Sequence, residues 1–176
     1  HEGLTPWQKI ACQVVVSLGF SVYCYFNPAI GSVIRIPFTR LEWNPGIFYI
    51  PLASLLIVFY VNSANLQDGL DGLMSTVTAV SSAGWTVAAL LGSLIMGWEK
   101  GTAECAGTLA IAMCGACVGF LRFNRYPAKI FMGDTGSMLL GGASVGIALV
   151  LRQPLLLILL GFCPIMSSAI VIIQRY

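Results

Sequence analysis

Charged side chains are scarce in this sequence. Aspartate, glutamate, lysine and arginine make up 9% of its 176 residues, against about a quarter in soluble globular domains. Hydrophobic residues make up 57%, and the mean hydropathy is +0.86. This composition excludes a soluble domain and predicts an integral membrane protein. The small net charge of +2 and the lack of a basic run exclude nucleic acid as a partner.

A cysteine pattern that would indicate disulfide bonds is also missing. Five of the six cysteines lie in apolar stretches, where cysteine usually serves as a small packing residue: Cys12, Cys105, Cys114, Cys117 and Cys163. We therefore expect no disulfides. The Cys114-Gly-Ala-Cys117 spacing also occurs in redox and zinc sites, but no second pair accompanies it, so packing is the favoured interpretation.

Long apolar stretches are what the sequence has instead. A spanning helix needs about 20 mostly apolar residues. Six stretches qualify, some only loosely: about 10–26, 47–62, 74–97, 103–121, 138–151 and 154–173. We predict an all-α fold, a polytopic transmembrane helix bundle of about six spans, forming one partial catalytic domain over residues 1–176. Since the chain lacks an initial methionine and ends directly after a hydrophobic run, we expect a fragment.

Six spans determine which loops share a side of the membrane. One side holds residues 1–9, 62–73, 122–137 and the C-terminal end, with five cations: Lys9, Arg122, Arg125, Lys129 and Arg175. The other side holds four cations: Arg35, Arg40, Lys100 and Arg152. The positive-inside rule favours the first side as cytoplasmic by a narrow margin. Asp68, Asp71 and Asp134 all lie on that side.

Two further structural features are predicted. Branched and aromatic residues around a turn in the 27–46 loop indicate a short hairpin at the outer surface. The spacings Gly115-x-x-x-Gly119 and Gly142-x-x-x-Gly146 are typical of close contacts between helices in membranes.

A first polar cluster occupies residues 62–73, which read Asn-Ser-Ala-Asn-Leu-Gln-Asp-Gly-Leu-Asp-Gly-Leu. Its polar residues recur at every third position: Asn62, Asn65, Asp68 and Asp71. On a helical segment this spacing directs them towards one side. Acids at a membrane boundary are energetically expensive, which favours a functional role. A calcium-binding EF-hand is excluded because its ligand spacing is not met.

A second polar cluster lies between the fourth and fifth predicted spans. Pro127 ends the preceding helix, and Gly133 and Gly136 flank Asp134 before the next helix begins. Ser137 is a candidate cap for that helix. A glycine-containing loop at a helix N-terminus suits an anion, and a carboxylate there suits Mg²⁺ shared with phosphates. Phe131 could stack on a planar base. Together, the clusters predict a site for a nucleotide diphosphate with Mg²⁺, with a lipid as second substrate.

At these clusters the sequence resembles the polyprenyl-phosphate N-acetylhexosamine-1-phosphate transferase superfamily, and within it the phospho-N-acetylmuramoyl-pentapeptide transferase family (translocase I). The runs at 62–73 and 123–137 carry the resemblance, and weaker similarity covers nearly the whole chain. It implies transfer of phospho-MurNAc-pentapeptide from UDP-MurNAc-pentapeptide to undecaprenyl phosphate, which gives lipid I and UMP in peptidoglycan synthesis. It further implies a Mg²⁺ cofactor and a multi-pass protein of the bacterial cytoplasmic (inner) membrane, with its site on the cytoplasmic face. Formation of a homodimer is an open possibility.

The resemblance assigns roles to residues one by one. Asp134 corresponds to the Mg²⁺ ligand, and Asp68 and Asp71 complete the catalytic acids. Substrate-binding positions are Asn62, Asn65, Asn124, Phe131, Gly133, Ser137 and Gln174. Gln67 stands where the family usually has threonine, and we expect its side chain to point away from the site.

This chain departs from the family in two respects. The paired-aspartate motif and the histidine-rich loop are absent, and His1 is the only histidine. The family has ten spans, so the fragment should be inactive by itself. The alternative function is a sibling transferase that uses UDP-GlcNAc, and a cation-coupled transporter is a remote one. Transport sites usually lie near the bilayer midplane, whereas these acids adjoin helix ends.

Overall fold

The computed structural model describes residues 5–39 and 41–175, without the side chain of Arg175. His1, Arg40 and Tyr176 therefore lie outside the described residues. The elements, in chain order, are α1 (Pro6–Phe26), β1 (Ile34–Arg35), β2 (Glu42–Trp43), a 3₁₀ turn (Gly46–Phe48), α2 (Tyr49–Gln67), α3 (Leu73–Ile95), α4 (Lys100–Asn124), α5 (Gly133–Val150), α6 (Leu156–Leu160) and α7 (Phe162–Arg175). The predicted all-α helix bundle is confirmed.

Among the described residues, five helices are long and apolar enough to cross a membrane, namely α1 to α5, with the 3₁₀ turn extending α2. The structure corrects the sixth predicted span, 154–173, which is divided into α6 and α7. The division falls at Gly161, three residues before Pro164. Because proline has no N–H and is tolerated only in a first helical turn, α7 begins anew at Phe162.

Local sequence signals explain where the first helix begins. Thr5 and Gln8 form a capping box, in which the Gln8 N–H donates to Thr5 Oγ1 and the Thr5 N–H donates to Gln8 Oε1. Pro6 occupies the first helical position, where its missing N–H has no cost. The predicted hairpin is also confirmed: Ile34 pairs with Trp43 and Arg35 with Glu42 in an antiparallel register.

Small side chains let the helices approach closely, but at other positions than predicted. A Cβ added at Gly141 of α5 would lie 2.7 Å from Ala64 Cβ and 3.2 Å from Val61 Cα, both on α2. A Cβ added at Gly115 or Gly119, by contrast, would have no atom of another part of the described chain within 4 Å. The α2–α5 contact therefore depends on Gly141, and it brings the two polar clusters together.

All six cysteines are free in the described chain. Of the five predicted to serve as packing residues, Cys117 is buried and Cys114 is partly buried, whereas Cys12, Cys105 and Cys163 are exposed.

Candidate functional site

Four helix ends meet at one end of the bundle. They are the C-terminal ends of α2 and α4 and the N-terminal ends of α3 and α5. Ser137 on α5 donates a hydrogen bond to Asn65 Oδ1 on α2 over 2.8 Å. The backbone N–H of Ala128, after α4, donates to Asp71 Oδ2 over 3.0 Å. Since these bonds join the segments that carry the two predicted clusters, the structure forms one site from both.

Asp134 lies in the first turn of α5, where the positive end of the helix dipole favours a carboxylate. Its side chain is 53% exposed and pairs with Lys9 near the start of α1. Sequence reasoning missed Lys9, which counted only as one cation of the predicted cytoplasmic side. The available signal was its position: a lone lysine directly before the first predicted span, on the side of the three aspartates.

Asp68 ends α2, just outside the spanning segment, and is half-buried. Burial raises the pKa of its carboxyl, the Gly133 backbone N–H lowers it in part, and the negative charge of Asp134 raises it further. Because the Gly133 N–H that acts on Asp68 directly precedes Asp134, the two predicted catalytic acids lie near each other.

The raised pKa of Asp68 predicts a pH dependence of stability. Below its ordinary pKa of 3.8 this carboxyl is protonated in the folded and unfolded states, and its favourable contribution is fully present. As the pH rises through the higher pKa of the folded state, that contribution is lost. We expect the free energy of unfolding to fall across this interval, and Asp68→Asn to remove that fall.

Unfolding of wild type and Asp68→Asn, measured in detergent with a chelator over a pH series, checks this expectation. Equal pH slopes in the two proteins would contradict the assignment to Asp68.

Asp71 and Asn124 hold the loop between α4 and α5. Asp71 accepts the Ala128 N–H, as described above. Asn124 is 3% exposed, accepts from Ser75 Oγ over 2.8 Å and donates to the Ile130 carbonyl over 3.0 Å. Because both ends of its amide are engaged within the protein, the geometry gives Asn124 a positioning role. Its predicted direct contact with substrate stays a prediction.

The loop that Asn124 holds presents Phe131 and Gly133. Phe131 is 72% exposed at the mouth of the site, which leaves its ring open to stacking. Gly133 has a φ of 70°, in the left-handed region that favours glycine. Its conformation turns the chain into α5 and directs its N–H towards Asp68.

The structure corrects the predicted role of Ser137 as a helix cap. The helix begins at Gly133, whereas a cap at Ser137 would require it to begin at Met138, five residues later. Ser137 is fully buried within α5, and its hydroxyl contacts Asn65 together with the Gly133 and Asp134 carbonyls. It therefore joins α5 to α2 behind the acids.

Two predicted substrate-binding residues lie away from these contacts. Asn62 lies one turn before Asn65, and its Nδ2 donates to Gln13 Oε1 on α1 and to the Val58 carbonyl, each over 2.7 Å. Gln174 is exposed in the last turn of α7, and within the described residues it makes no hydrogen bond with the cluster. Gln67 is buried, with no hydrogen-bond partner for Oε1 in the described part.

The donor set at this site fits a shared Mg²⁺ ion. Within the described ranges, no group of three or more His, Cys, Asp or Glu side chains could hold a metal by itself. Mg²⁺ commonly uses one or two carboxylates and takes its remaining ligands from phosphates and water. Asp134 and the neighbouring Asp68 meet that requirement. The site therefore suits Mg²⁺ accompanied by a phosphate-containing ligand.

The chain is similar to known proteins over most of its length. A family model described as "Glycosyl transferase family 4" matches residues 1–152. The chain is 43% identical over 172 residues to a phospho-N-acetylmuramoyl-pentapeptide-transferase of Clostridium botulinum, covering 98% of this chain and 50% of that protein. It is 44% identical over 172 residues to the Clostridioides difficile protein of the same name, with coverage of 98% and 51%. The chain thus spans about half the length of the curated relatives it matches.

Proposed function

Because the chain belongs to glycosyl transferase family 4, we propose that it forms part of a phospho-N-acetylmuramoyl-pentapeptide transferase. The whole protein would transfer phospho-MurNAc-pentapeptide from UDP-MurNAc-pentapeptide to undecaprenyl phosphate, giving lipid I and UMP. The observation that carries this proposal is the meeting of four helix ends around Asp134 and Asp68. The names of the bacterial relatives support the choice of substrates.

The proposed reaction moves one phosphoryl-sugar group. An oxygen of the lipid phosphate forms a bond to the β-phosphorus of the UDP-sugar, while the bond from that phosphorus to the bridging oxygen breaks. UMP leaves with the bonding electron pair. Phosphoryl transfer depends chiefly on alignment and on neutralising the phosphate charges. Mg²⁺ held by Asp134, with Asp68 beside it, would supply such neutralisation.

The residues of this chain contribute positioning around the reacting groups. Phe131 offers an exposed ring for the uracil base, and Asn65 and Ser137 hold α2 against α5. Asn124 and Asp71 fix the loop between them. Lys9 provides a cation on the same face, suited to the pyrophosphate. A transporter is less well supported because the acids lie at helix ends and not near the middle of the spans.

The proposed location is the bacterial cytoplasmic membrane, with the site on the cytoplasmic face. Five helices suited to crossing a membrane support the first part. The four cations on the side of the three aspartates, Lys9, Arg122, Arg125 and Lys129, fit the second. A water-soluble UDP-sugar and a membrane lipid could both reach acids placed at that boundary.

The test is a transfer assay with the intact protein in detergent micelles. UMP release is measured with undecaprenyl phosphate and either UDP-MurNAc-pentapeptide or UDP-GlcNAc, with and without Mg²⁺. Release that requires the first nucleotide and Mg²⁺ is expected. Release with UDP-GlcNAc alone would instead assign the sibling reaction, and no release with either would overturn the proposal.

Lys9 gives a separate prediction. Lys9→Gln is expected to slow UMP release by at least about tenfold, because a cation facing the pyrophosphate is lost. The Mg²⁺ concentration for half-maximal rate should fall, since the Asp134 carboxylate loses its internal partner. Both are read from rates over a Mg²⁺ series.

Lys100→Gln is the matched control, because Lys100 pairs with Glu104 at the other end of the bundle. Unchanged rate and unchanged Mg²⁺ dependence in Lys9→Gln would exclude this role.

A further inference from the structure

Three cations converge where α4 ends. Arg122 and Arg125 lie three residues apart at the end of the helix, so they share a face. Lys129 is brought back to them by the loop: its backbone N–H donates to the Phe123 carbonyl over 2.8 Å, and the Ile130 N–H donates to the same carbonyl over 3.2 Å. The cluster is therefore a product of the fold and is not a sequential run of charges.

None of these three cations has an acidic partner among the described residues. The ion pairs there are Lys9–Asp134, Arg35–Glu42 and Lys100–Glu104. Asp71, which contacts the same loop, accepts the Ala128 N–H instead. Arg122, Arg125 and Lys129 are all exposed. Like charges held together repel each other, and a bound anion would relieve that repulsion.

The cations form one end of a groove of about 530 Å³, here named the α4 groove, whose lining is Val118, Leu121, Arg122, Phe123, Arg125 and Lys129. Its other end is apolar and is formed by Val118, which is 58% exposed; Phe123, which is 45% exposed, lies beside the cations. Val118 lies within the spanning helix, six residues and roughly 9 Å before Asn124 at a rise of 1.5 Å per residue. The groove thus runs from hydrocarbon depth to a triply cationic end.

We propose that the α4 groove binds an anionic phospholipid of the leaflet that faces the candidate site. The arginines and the lysine take the headgroup phosphate, and Val118, deeper in the span, contacts the first part of an acyl chain. A water-soluble anion would use the cations but would leave the apolar end uncovered. Basic pockets at the ends of spanning helices are suited to anionic headgroups. This inference goes beyond the proposed reaction, because it needs no transfer chemistry.

The experiment uses the intact protein in nanodiscs of phosphatidylcholine containing spin-labelled phosphatidylglycerol or spin-labelled phosphatidylcholine. The immobilised fraction of each label gives the preference for the anionic lipid. We expect a clear preference in wild type that decreases with added salt. Each neutralised cation should reduce it by up to about fivefold, and Arg122→Gln/Arg125→Gln/Lys129→Gln should abolish it.

Lys100→Gln serves as the control, because it removes an exposed cation at the other end of α4. Thermal unfolding verifies that the variants are folded. If the triple variant does not fold, the single variants Arg122→Gln and Lys129→Gln are tested in its place. A preference retained in folded variants overturns the proposal, as does the lack of any preference in wild type. UMP release is measured separately, so failure of the transfer reaction leaves this result interpretable.

Discussion

Asp134→Asn is expected to reduce UMP release by the intact protein by about two to three orders of magnitude. Asparagine keeps the size and the first helical turn of α5 but removes the negative charge that would hold Mg²⁺ beside the pyrophosphate. Higher Mg²⁺ should restore part of the rate, because a weakened metal site is filled by mass action. The measurement is the initial rate of UMP release over a Mg²⁺ series.

Glu104→Gln is the control for this substitution, since Glu104 is an exposed acid paired with Lys100 at the opposite end of the bundle. Wild-type rates in Asp134→Asn would exclude the metal role. A reduced rate with unchanged Mg²⁺ dependence would also exclude it and would assign the effect to the lost Lys9 pair.

The second large effect is expected at Gly141. Gly141→Ala places a methyl group 2.7 Å from Ala64 Cβ and 3.2 Å from Val61 Cα, closer than packed atoms tolerate. Relief requires α5 to move away from α2, because the obstacles are a backbone atom and a Cβ with no rotamer to change. Overpacking of this kind costs about 1–3 kcal/mol. We expect a lower unfolding temperature in detergent and slower UMP release, since Ser137 lies one turn from Gly141 and bonds Asn65.

Gly142→Ala is a closely matched control. Its added Cβ would meet only Val61 Cγ2, at 3.9 Å, which is ordinary contact. Alanine also favours a helix more than glycine does. Its unfolding temperature should therefore equal or slightly exceed that of wild type. Equal stability of the two alanine variants would show that α2 and α5 do not depend on Gly141.

Much of the fold could be predicted because helix formation in membranes is governed locally. A spanning segment must satisfy its own backbone hydrogen bonds, so a long apolar run implies a helix. The five spanning helices and the hairpin follow from such signals. Gly161 and Pro164 indicate the division of the sixth stretch. The residues on both sides are apolar, however, so hydropathy alone predicted one continuous span.

The position of the acids in the candidate site could be predicted from the sequence, but the roles of Ser137 and Asn124 could not. Asp68 and Asp134 lie together as expected on one side of the bundle. The role of Ser137 was not recognised, because the start of α5 depends on the conformation of Gly133 and on contacts with Asn65. Asn124 carries a polar amide that the sequence marks as functional, yet only its neighbours Ser75 and Ile130 reveal that both ends are engaged.

The one-sided aspartates and the scarcity of charge were determined by the sequence alone, because hydropathy and loop parity are properties of consecutive residues. Which side chains meet was decided by the tertiary structure. Lys9 and Asp134 are 125 positions apart, and Asn65 and Ser137 are 72 apart. No local sequence pattern could predict contacts between residues so far apart in the chain. They meet because Gly141 lets α5 lie against α2, and because α1 begins at the end of the bundle where α5 begins.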